Sequence, residues 1–216
     1  MSVGSEQLIE KMDLGNFFDE TKLSYDLREG VVWNVSKTRI CLLSTDLLLG
    51  VYKALVDEAG PAWKLILKNC GLIWGDRVAK RLDRECSLIL GKKLGDLVLS
   101  HFLSFTTDYF LFHGWGRLNL DVSKAEQNGI VEASLENSVF ASIIEDSEEM
   151  VDPMIAGILA SILSYMSGQK LDCIQTACVT KGAPISRFII TGTDRLKDGE
   201  AKVKAGMTHE QLVETV

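Results

Sequence analysis

The chain has 216 residues and a formal net charge of −7, with 46% hydrophobic and 25% charged residues. Its length fits one sizeable domain with a real core, and its composition is that of a globular protein without disorder bias. An acidic chain without a Lys/Arg-rich run lacks the concentrated basic surface that a phosphate backbone requires. Nucleic acid is therefore excluded from the expected partners.

The sequence also predicts a location. The first residues lack the basic segment followed by an apolar segment that marks a secretory signal. The most continuous apolar stretch, residues 154–163, is far shorter than the roughly 20 residues that cross a bilayer. The five cysteines form an odd set without a CxxC pair, which is typical of reduced, mostly buried thiols. We expect a cytoplasmic protein with no transmembrane segment.

The first quarter of the chain predicts an arm, two strands and a helix. Residues 1–30 are weakly patterned, and we interpret them as an N-terminal arm that packs on the domain or on a partner. Two short β-rich runs follow at 31–35 and 38–43. Polar N-cap candidates then predict a helix over 46–58, which a Gly-Pro pair ends.

A second helix follows with a clear period of 3.6 residues and contains two glycines four residues apart. Gly71 and Gly75 each cost helix stability, so they indicate a place where another backbone or a ligand comes close. Tight helix–helix packing is the commoner of these two uses. The apolar positions of this helix are Trp63, Ile66, Leu67, Cys70, Ile73, Trp74, Val78 and Leu82.

The middle of the chain predicts a third helix and a β-hairpin. The helix covers 95–112 and ends at the glycines on either side of Trp115. Alternating apolar residues at 117–122 and 130–135, joined by a polar turn, predict the hairpin. Residues 139–144 are interpreted as a further strand or an extension of the second one.

The last third predicts a buried helix and a closing hairpin. Residues 153–166 are apolar nearly all round, so this helix lies at the centre of the fold. Two β-rich runs at 170–180 and 185–191 form the second hairpin. Residues 193–216 are interpreted as a charged C-terminal tail with one short helix over 209–215. The whole is an α+β fold, an antiparallel sheet of about four strands with four or more helices packed on one side.

Several segments, taken in order, resemble one known family. They are Asn69-Cys-Gly-Leu-Ile-Trp-Gly75, Gly114-Trp-Gly116, Asn137-Ser-Val-Phe-Ala141, Asp152-Pro-Met-Ile-Ala-Gly157 and the closing hairpin from Gly168 to Phe188. Together they resemble the 4-vinyl-reductase-type small-molecule-binding domains, whose fold is related to the small subunits of the TRAPP vesicle-tethering complex. The resemblance assigns residues 31–192 to the ligand-binding domain. It implies an apolar pocket between helices and sheet, and frequent dimerisation.

The sequence departs from this family at positions where many members have cysteines. Cys178 stands at the first hairpin position, but Ser186 occupies the second, and Met154 lies where another cysteine is common. Serine is a poor ligand for soft divalent metals, and one thiolate without a convergent histidine binds weakly. We therefore predict no structural metal, and we expect no resident cofactor apart from a bound lipid or tetrapyrrole.

The candidate site residues each have a functional and a structural interpretation. Trp74 and Trp115 could line a pocket for a planar ligand or act as core anchors. Cys178 could contact a ligand or be a small buried hydrophobe on a strand. His101 and His113 could ligate a tetrapyrrole metal, but their spacing of twelve favours ordinary polar roles. The candidate ligand contacts are therefore Gly71, Trp74, Gly75, Trp115, Met154 and Cys178.

Three functions follow from these observations, in decreasing order of support. The first is non-catalytic binding of an apolar small molecule such as a hydrocarbon, lipid or tetrapyrrole. The second is a dimeric scaffold or assembly factor for a larger complex, of which a photosynthetic complex is one option. The third is a pigment-synthesis reductase, although the chain contains no GxSxG, Walker, GxGxxG or HExxH motif. A homodimer is the expected assembly in the first two cases.

Overall fold

A computed structural model describes residues 23–34, 36–144 and 147–216. Most of the expected N-terminal arm, residues 1–22, lies outside the described residues. The described part begins with a small antiparallel sheet of three short strands in the order β1-β2-β3. These strands are β1 (Ser24–Asp26), β2 (Val31–Trp33) and β3 (Arg39–Ile40).

Two helices follow, joined by a short 3-10 turn that carries Pro61. Helix α1 (Thr45–Ala59) matches the predicted helix within a residue at each end. Helix α2 (Trp63–Leu90) runs eight residues past Leu82, the last apolar position of the predicted pattern. The extension follows because Glu85 and Cys86 are buried beside Leu82 and continue the same face.

The middle of the chain contains the predicted third helix and hairpin. The helix is α3 (Leu99–Phe112), and the strands are β4 (Arg117–Asp121) and β5 (Val131–Glu136), with a short helix α4 (Ala125–Asn128) in their connection. The prediction of a strand over 139–144 is wrong. This segment is a helix, α5 (Val139–Ile143), which the Ser138 hydroxyl caps by accepting a hydrogen bond from the Ala141 amide.

The last third contains the predicted central helix and closing hairpin. Helix α6 (Pro153–Ser167) is buried along most of its length. Strands β6 (Leu171–Ala177) and β7 (Ser186–Gly192) pair antiparallel, with a bulge between Gln175 and Ala177.

The four longer strands form one antiparallel sheet in the order β4-β5-β7-β6. The predicted α+β fold is therefore confirmed. Alternate side chains of β7 point to opposite faces, as strand geometry requires. Phe188 and Ile190 enter the main core with α2, α3 and α6, whereas Ile189 points to the other face.

The C-terminal segment covers that other face, so helices pack on both faces of the sheet and not on one side as predicted. After β7 the chain forms α7 (Gly199–Lys204) and α8 (His209–Thr215). Leu212 and Val213 of α8 pack with Ile174 and Ile189 of the sheet in a second, smaller core. Across the described ranges, no helix combines the length and apolarity needed to span a bilayer.

Candidate functional site

The two glycines of α2 lie at its contact with α6. A Cβ added to Gly71 would overlap the Met154 carbonyl oxygen, and one added to Gly75 would lie 2.8 Å from the Ser161 Cβ and 2.9 Å from the Ile158 Cα. Gly157 of α6 faces the α2 backbone in the same way. The missing side chains thus make room for the other helix, which is the packing use considered from sequence. Their contact with a ligand stays a prediction.

Trp74 and Trp115 do come together. Their ring centroids are 4.1 Å apart, with the planes tilted by 51°. Phe110 meets Trp115 edge-on at 5.3 Å. Trp74 projects from α2 and Trp115 from the turn before β4, so residues 41 positions apart in sequence form one aromatic cluster. Both indoles are half-buried against the main core.

His113 and Tyr109 extend this aromatic cluster. Their rings are 4.0 Å apart, and His113 Nδ1 donates a hydrogen bond of 2.9 Å to the Tyr109 carbonyl oxygen. Burial lowers the pKa of His113 to about 4, because an imidazolium is penalised away from water. His113 is therefore neutral at physiological pH, with its proton on Nδ1 and Nε2 left as an acceptor.

A buried ion pair lies beside the aromatic cluster. Arg81 donates a hydrogen bond to the Tyr109 hydroxyl and lies 3.8 Å, Nε to Oε1, from Glu85, which is 2% exposed. Glu85 also accepts hydrogen bonds from Asn34 and, at 2.8 Å, from Ser36. These bonds fix the turn between β2 and β3 onto α2. Burial raises the pKa of Glu85 despite these donors.

Met154 and Cys178 belong to two further parts of the fold. Met154 begins α6 and is half-buried, with its carbonyl against Gly71. Cys178 is 1% exposed, at the end of β6, and its Sγ lies 3.0 Å from the Thr180 hydroxyl. The six predicted residues are thus divided among a helix contact, the aromatic cluster and the closing hairpin.

Ser186, the first residue of β7, belongs to a buried polar network. Its hydroxyl donates to the Asp152 carboxylate at 2.9 Å. Ser138 and Gln175 donate to the same carboxylate, and the Gln175 side-chain oxygen accepts from the Asp152 amide at 3.0 Å. Asp152 is fully buried, and burial raises its pKa. Among the described residues no group of three His, Cys, Asp or Glu side chains is placed to hold a metal.

A groove of about 500 Å³ opens between α1 and α5. We call it the α1–α5 groove. Its lining is mixed: four lining residues are apolar or aromatic, and we call them the wall, while three are polar, and we call them the rim. The wall comprises Leu49, Tyr52, Ile143 and Ile144, and the rim comprises Lys53, Ser147 and Glu148.

The α1–α5 groove adjoins the aromatic cluster through α5. The amide of Val139, the first residue of α5, donates to the Trp115 carbonyl oxygen at 3.2 Å. Trp63 of α2 meets Tyr52 edge-on with the centroids 5.1 Å apart. A tryptophan therefore lies directly behind one wall of the groove and can report on its occupancy.

The sequence analysis missed the groove residues. Leu49 and Tyr52 belong to the correctly predicted helix α1, where the three-residue spacing of apolar side chains was the available signal. The sequence analysis predicted a strand at Ile143, so the packing of this residue near α1 was not predicted. The pairing joins segments about 90 positions apart, which helical periodicity does not reveal.

No protein-family model and no curated protein matches this chain. Solved structures do match it. The phenol-responsive sensory domain of the transcription activator PoxR, in complex with phenol, superimposes with a TM-score of 0.69 at 20% identity. This match covers 89% of our chain and 96% of the other.

Two further structures are similar to the chain. A trafficking protein particle complex subunit 3 from Naegleria fowleri, covalently bound to palmitic acid, has a TM-score of 0.52 at 16% identity and covers 68% of our chain and 93% of its own. A vinyl-4-reductase family protein from Methanocaldococcus jannaschii has a TM-score of 0.48 at 16% identity, covering 70% and 83%. The fold relationship to TRAPP small subunits, predicted from the sequence motifs, is confirmed. Identities this low establish the fold alone.

Proposed function

We propose that this domain binds a small apolar molecule in the α1–α5 groove without converting it. The observation that carries the proposal is the groove itself. Its volume of about 500 Å³ falls within the range of roughly 300–1,000 Å³ typical of small-molecule sites. Its leucine, tyrosine and isoleucine wall favours an apolar ligand, and its rim can orient one polar group.

Two structures of the same fold support the proposal by analogy. The PoxR sensory domain is in complex with phenol, and the Naegleria subunit carries covalently bound palmitic acid. Each is a largely apolar molecule. Since fold alone does not fix function, the residues of the groove must carry the assignment to this chain.

The test is titration with a neutral fluorescent apolar probe, N-phenyl-1-naphthylamine, followed by displacement with phenol or dodecanol. Ile143→Asp places a carboxylate on the apolar wall, where an unpaired charge is costly to desolvate. We expect probe affinity to fall at least about tenfold, equivalent to about 1.4 kcal/mol. Ile73→Asp is the matched control, because Ile73 is 64% exposed on α2 outside the groove. Equal affinities for the two variants would contradict the assignment.

We also propose that the partner is a second copy, bound through the outer side of α1. This 15-residue helix has no buried residue. Leu47 and Val51 are 50% and 46% exposed, and they lie on the side of α1 opposite Leu49 and Tyr52 at 100° per residue. Aliphatic side chains grouped on one exposed helix side favour a protein contact. The same surface serves the scaffold function, which is our second candidate.

Sedimentation equilibrium tests the dimer. We expect a dimer for the unmodified chain and a monomer for the double variant Leu47→Lys, Val51→Lys, because two buried ammonium groups oppose association. Leu88→Lys serves as the control, since Leu88 is 68% exposed and lies near the C-terminal end of α2, outside the proposed α1 contact. A monomeric unmodified chain, or a double variant that remains dimeric, would contradict this proposal.

A further inference from the structure

One wall of the α1–α5 groove belongs to a helix with little stability of its own. Helix α5 has only five residues, fewer than an isolated helix needs to persist in water. Its last residue, Ile143, and the following Ile144 line the groove. The position of this wall therefore depends on what fixes α5 to the rest of the fold.

One hydroxyl group fixes the start of α5. The Ser138 hydroxyl accepts a hydrogen bond from the Ala141 amide at 3.4 Å and donates one to the Asp152 carboxylate. The first bond satisfies an amide of the first helical turn, which has no partner within the helix. The second bond joins the start of the helix to a residue of the core. Ser138 is 1% exposed, so its hydroxyl is shielded from water.

Asp152 is held in place by elements other than α5. Its amide donates to the Gln175 side-chain oxygen of β6 at 3.0 Å, and its carbonyl oxygen accepts from the Ala156 amide within α6 at 3.0 Å. The Ser186 hydroxyl of β7 donates to its carboxylate at 2.9 Å. Removal of the Ser138 hydroxyl would therefore break the link to α5 and leave Asp152 anchored.

The cap matters because the sequence of α5 does not by itself select a helix. Residues 139–144 are apolar at every position except Ser142, so they match neither the helical period nor the alternation of a strand. Phe140 and Ile144 hold the segment against the main core, at 5% and 4% exposed, but apolar contacts are non-directional. The hydrogen bonds of Ser138 supply the direction that the helix requires.

We propose that Ser138 is the positioning residue of the α1–α5 groove: by joining α5 to Asp152, it holds Ile143 and Ile144 in place for the ligand. This inference rests on the proposed function, since it assigns a supporting residue to the same groove. When a wall is ordered before binding, no binding free energy is lost in ordering it. Ser138 does not line the groove, so it contributes to affinity without contact with the ligand.

Ser138→Ala and Ser186→Ala form a matched pair of variants. Each removes one buried hydroxyl that donates to Asp152, and the two serines are 1% and 0% exposed. Only Ser138 also caps α5. Both variants should therefore unfold at lower urea concentration than the unmodified chain, whereas only Ser138→Ala should change α5.

Hydrogen exchange of the ligand-free proteins measures the change in α5. We expect the opening equilibrium of the amides of residues 141–144 to rise about fivefold in Ser138→Ala, the usual effect of a lost N-cap. The same amides should open in Ser186→Ala as they do in the unmodified chain. The urea midpoints separate this local effect from a loss of global stability.

Titration with N-phenyl-1-naphthylamine measures the consequence for binding. The dissociation constant should rise at least about threefold in Ser138→Ala, because the probe must then order the wall, and should stay near that of the unmodified chain in Ser186→Ala. Equal changes in the two variants, in α5 exchange or in probe affinity, would overturn the inference. If the unmodified chain binds no probe, the proposed function fails instead, and α5 exchange still decides whether Ser138 holds the wall.

A comparison within the unmodified chain covers the case in which Ser138→Ala does not fold. Helix α4 is similarly short, with four residues, but has no side-chain cap. After correction for intrinsic rates, the amides of α5 should exchange at least about fivefold more slowly than those of Asn128 and Gly129, which are bonded to the start of α4 at 2.9 Å. Equal protection of the two helices would show that the cap does not hold α5, and would overturn the inference.

Discussion

Gly71 lies where the backbones of α2 and α6 approach most closely. Because an added Cβ would overlap the Met154 carbonyl oxygen, Gly71→Ala must push the helices apart. Overpacking of this kind costs about 1–3 kcal/mol. We expect the free energy of unfolding, measured by urea denaturation, to fall by that amount or more.

Gly50→Ala is the matched control for this prediction. Gly50 lies inside α1 with nothing within 4 Å of an added Cβ. Alanine is the better helix former by roughly 0.8–1 kcal/mol, so this variant should be as stable as the unmodified chain or more stable. If both alanine variants lose the same stability, the α2–α6 contact is not as close as described.

Asp152 accepts hydrogen bonds from three buried side chains. Asp152→Ala would leave the buried Ser138 and Ser186 hydroxyls without their acceptor, whereas the Gln175 amide would keep the Ala177 carbonyl oxygen at 3.2 Å. An unsatisfied buried polar group costs about 1–3 kcal/mol, so we expect unfolding to become easier by about 2–4 kcal/mol. Thermal and urea denaturation measure this.

Asp76→Ala provides the comparison for the Asp152 variant. Asp76 is half-exposed and pairs with Lys80 one helical turn away. Such surface pairs contribute only about 0–1 kcal/mol, so this variant should remain close to the unmodified chain. A similar small effect for Asp152→Ala would show that the buried network contributes little to stability.

At the scale of elements, α8 begins with a reciprocal cap. The Thr208 hydroxyl accepts from the Gln211 amide at 3.3 Å, and the Gln211 side chain accepts from the Thr208 amide at 3.0 Å. Thr208→Ala removes half of this capping box, which typically costs about 0.5–2 kcal/mol. We expect faster exchange of the α8 amides at every pH and unchanged exchange in α6. If the α8 amides of the variant exchange as slowly as those of the unmodified chain, the cap does not stabilise α8.

The elements with strong periodicity were predicted well from sequence. Helix α2 follows from its apolar period of 3.6 residues, helix α6 from a segment that is apolar nearly all round, and the closing hairpin from two β-rich runs, because burial leaves these patterns directly in the sequence. The aromatic cluster was partly predicted, since Trp74 and Trp115 were both selected. The contact between the two rings could not be predicted from the sequence, because it depends on how α3 and the turn after it dock against α2.

The short helix α5 shows where the local pattern was insufficient. Residues 139–144 are apolar at every position except Ser142, so neither period is visible. The Ser138 cap and the burial of Phe140 decide in favour of the helix. This error concealed the α1–α5 groove, because its wall exists only when Ile143 and Ile144 face α1.

At the scale of the whole molecule, the four-stranded sheet separates two apolar cores, one on each of its faces. The main core, formed with α2, α3 and α6, carries the groove and the aromatic cluster on its outer side. The second core is closed only by the C-terminal segment, within the described residues. Loosening of α8 by Thr208→Ala should therefore leave ligand affinity unchanged, and probe titration of this variant checks this independence.

The central claim is that the groove holds an apolar small molecule. Native mass spectrometry of the freshly purified protein tests it most directly, followed by denaturing extraction and an absorbance scan. We predict one equivalent of an apolar compound per chain, either co-purified or acquired from added phenol or dodecanol, and its loss in Ile143→Asp. A folded chain that shows no adduct under any of these conditions, or an adduct that Ile143→Asp retains in full, would contradict the claim.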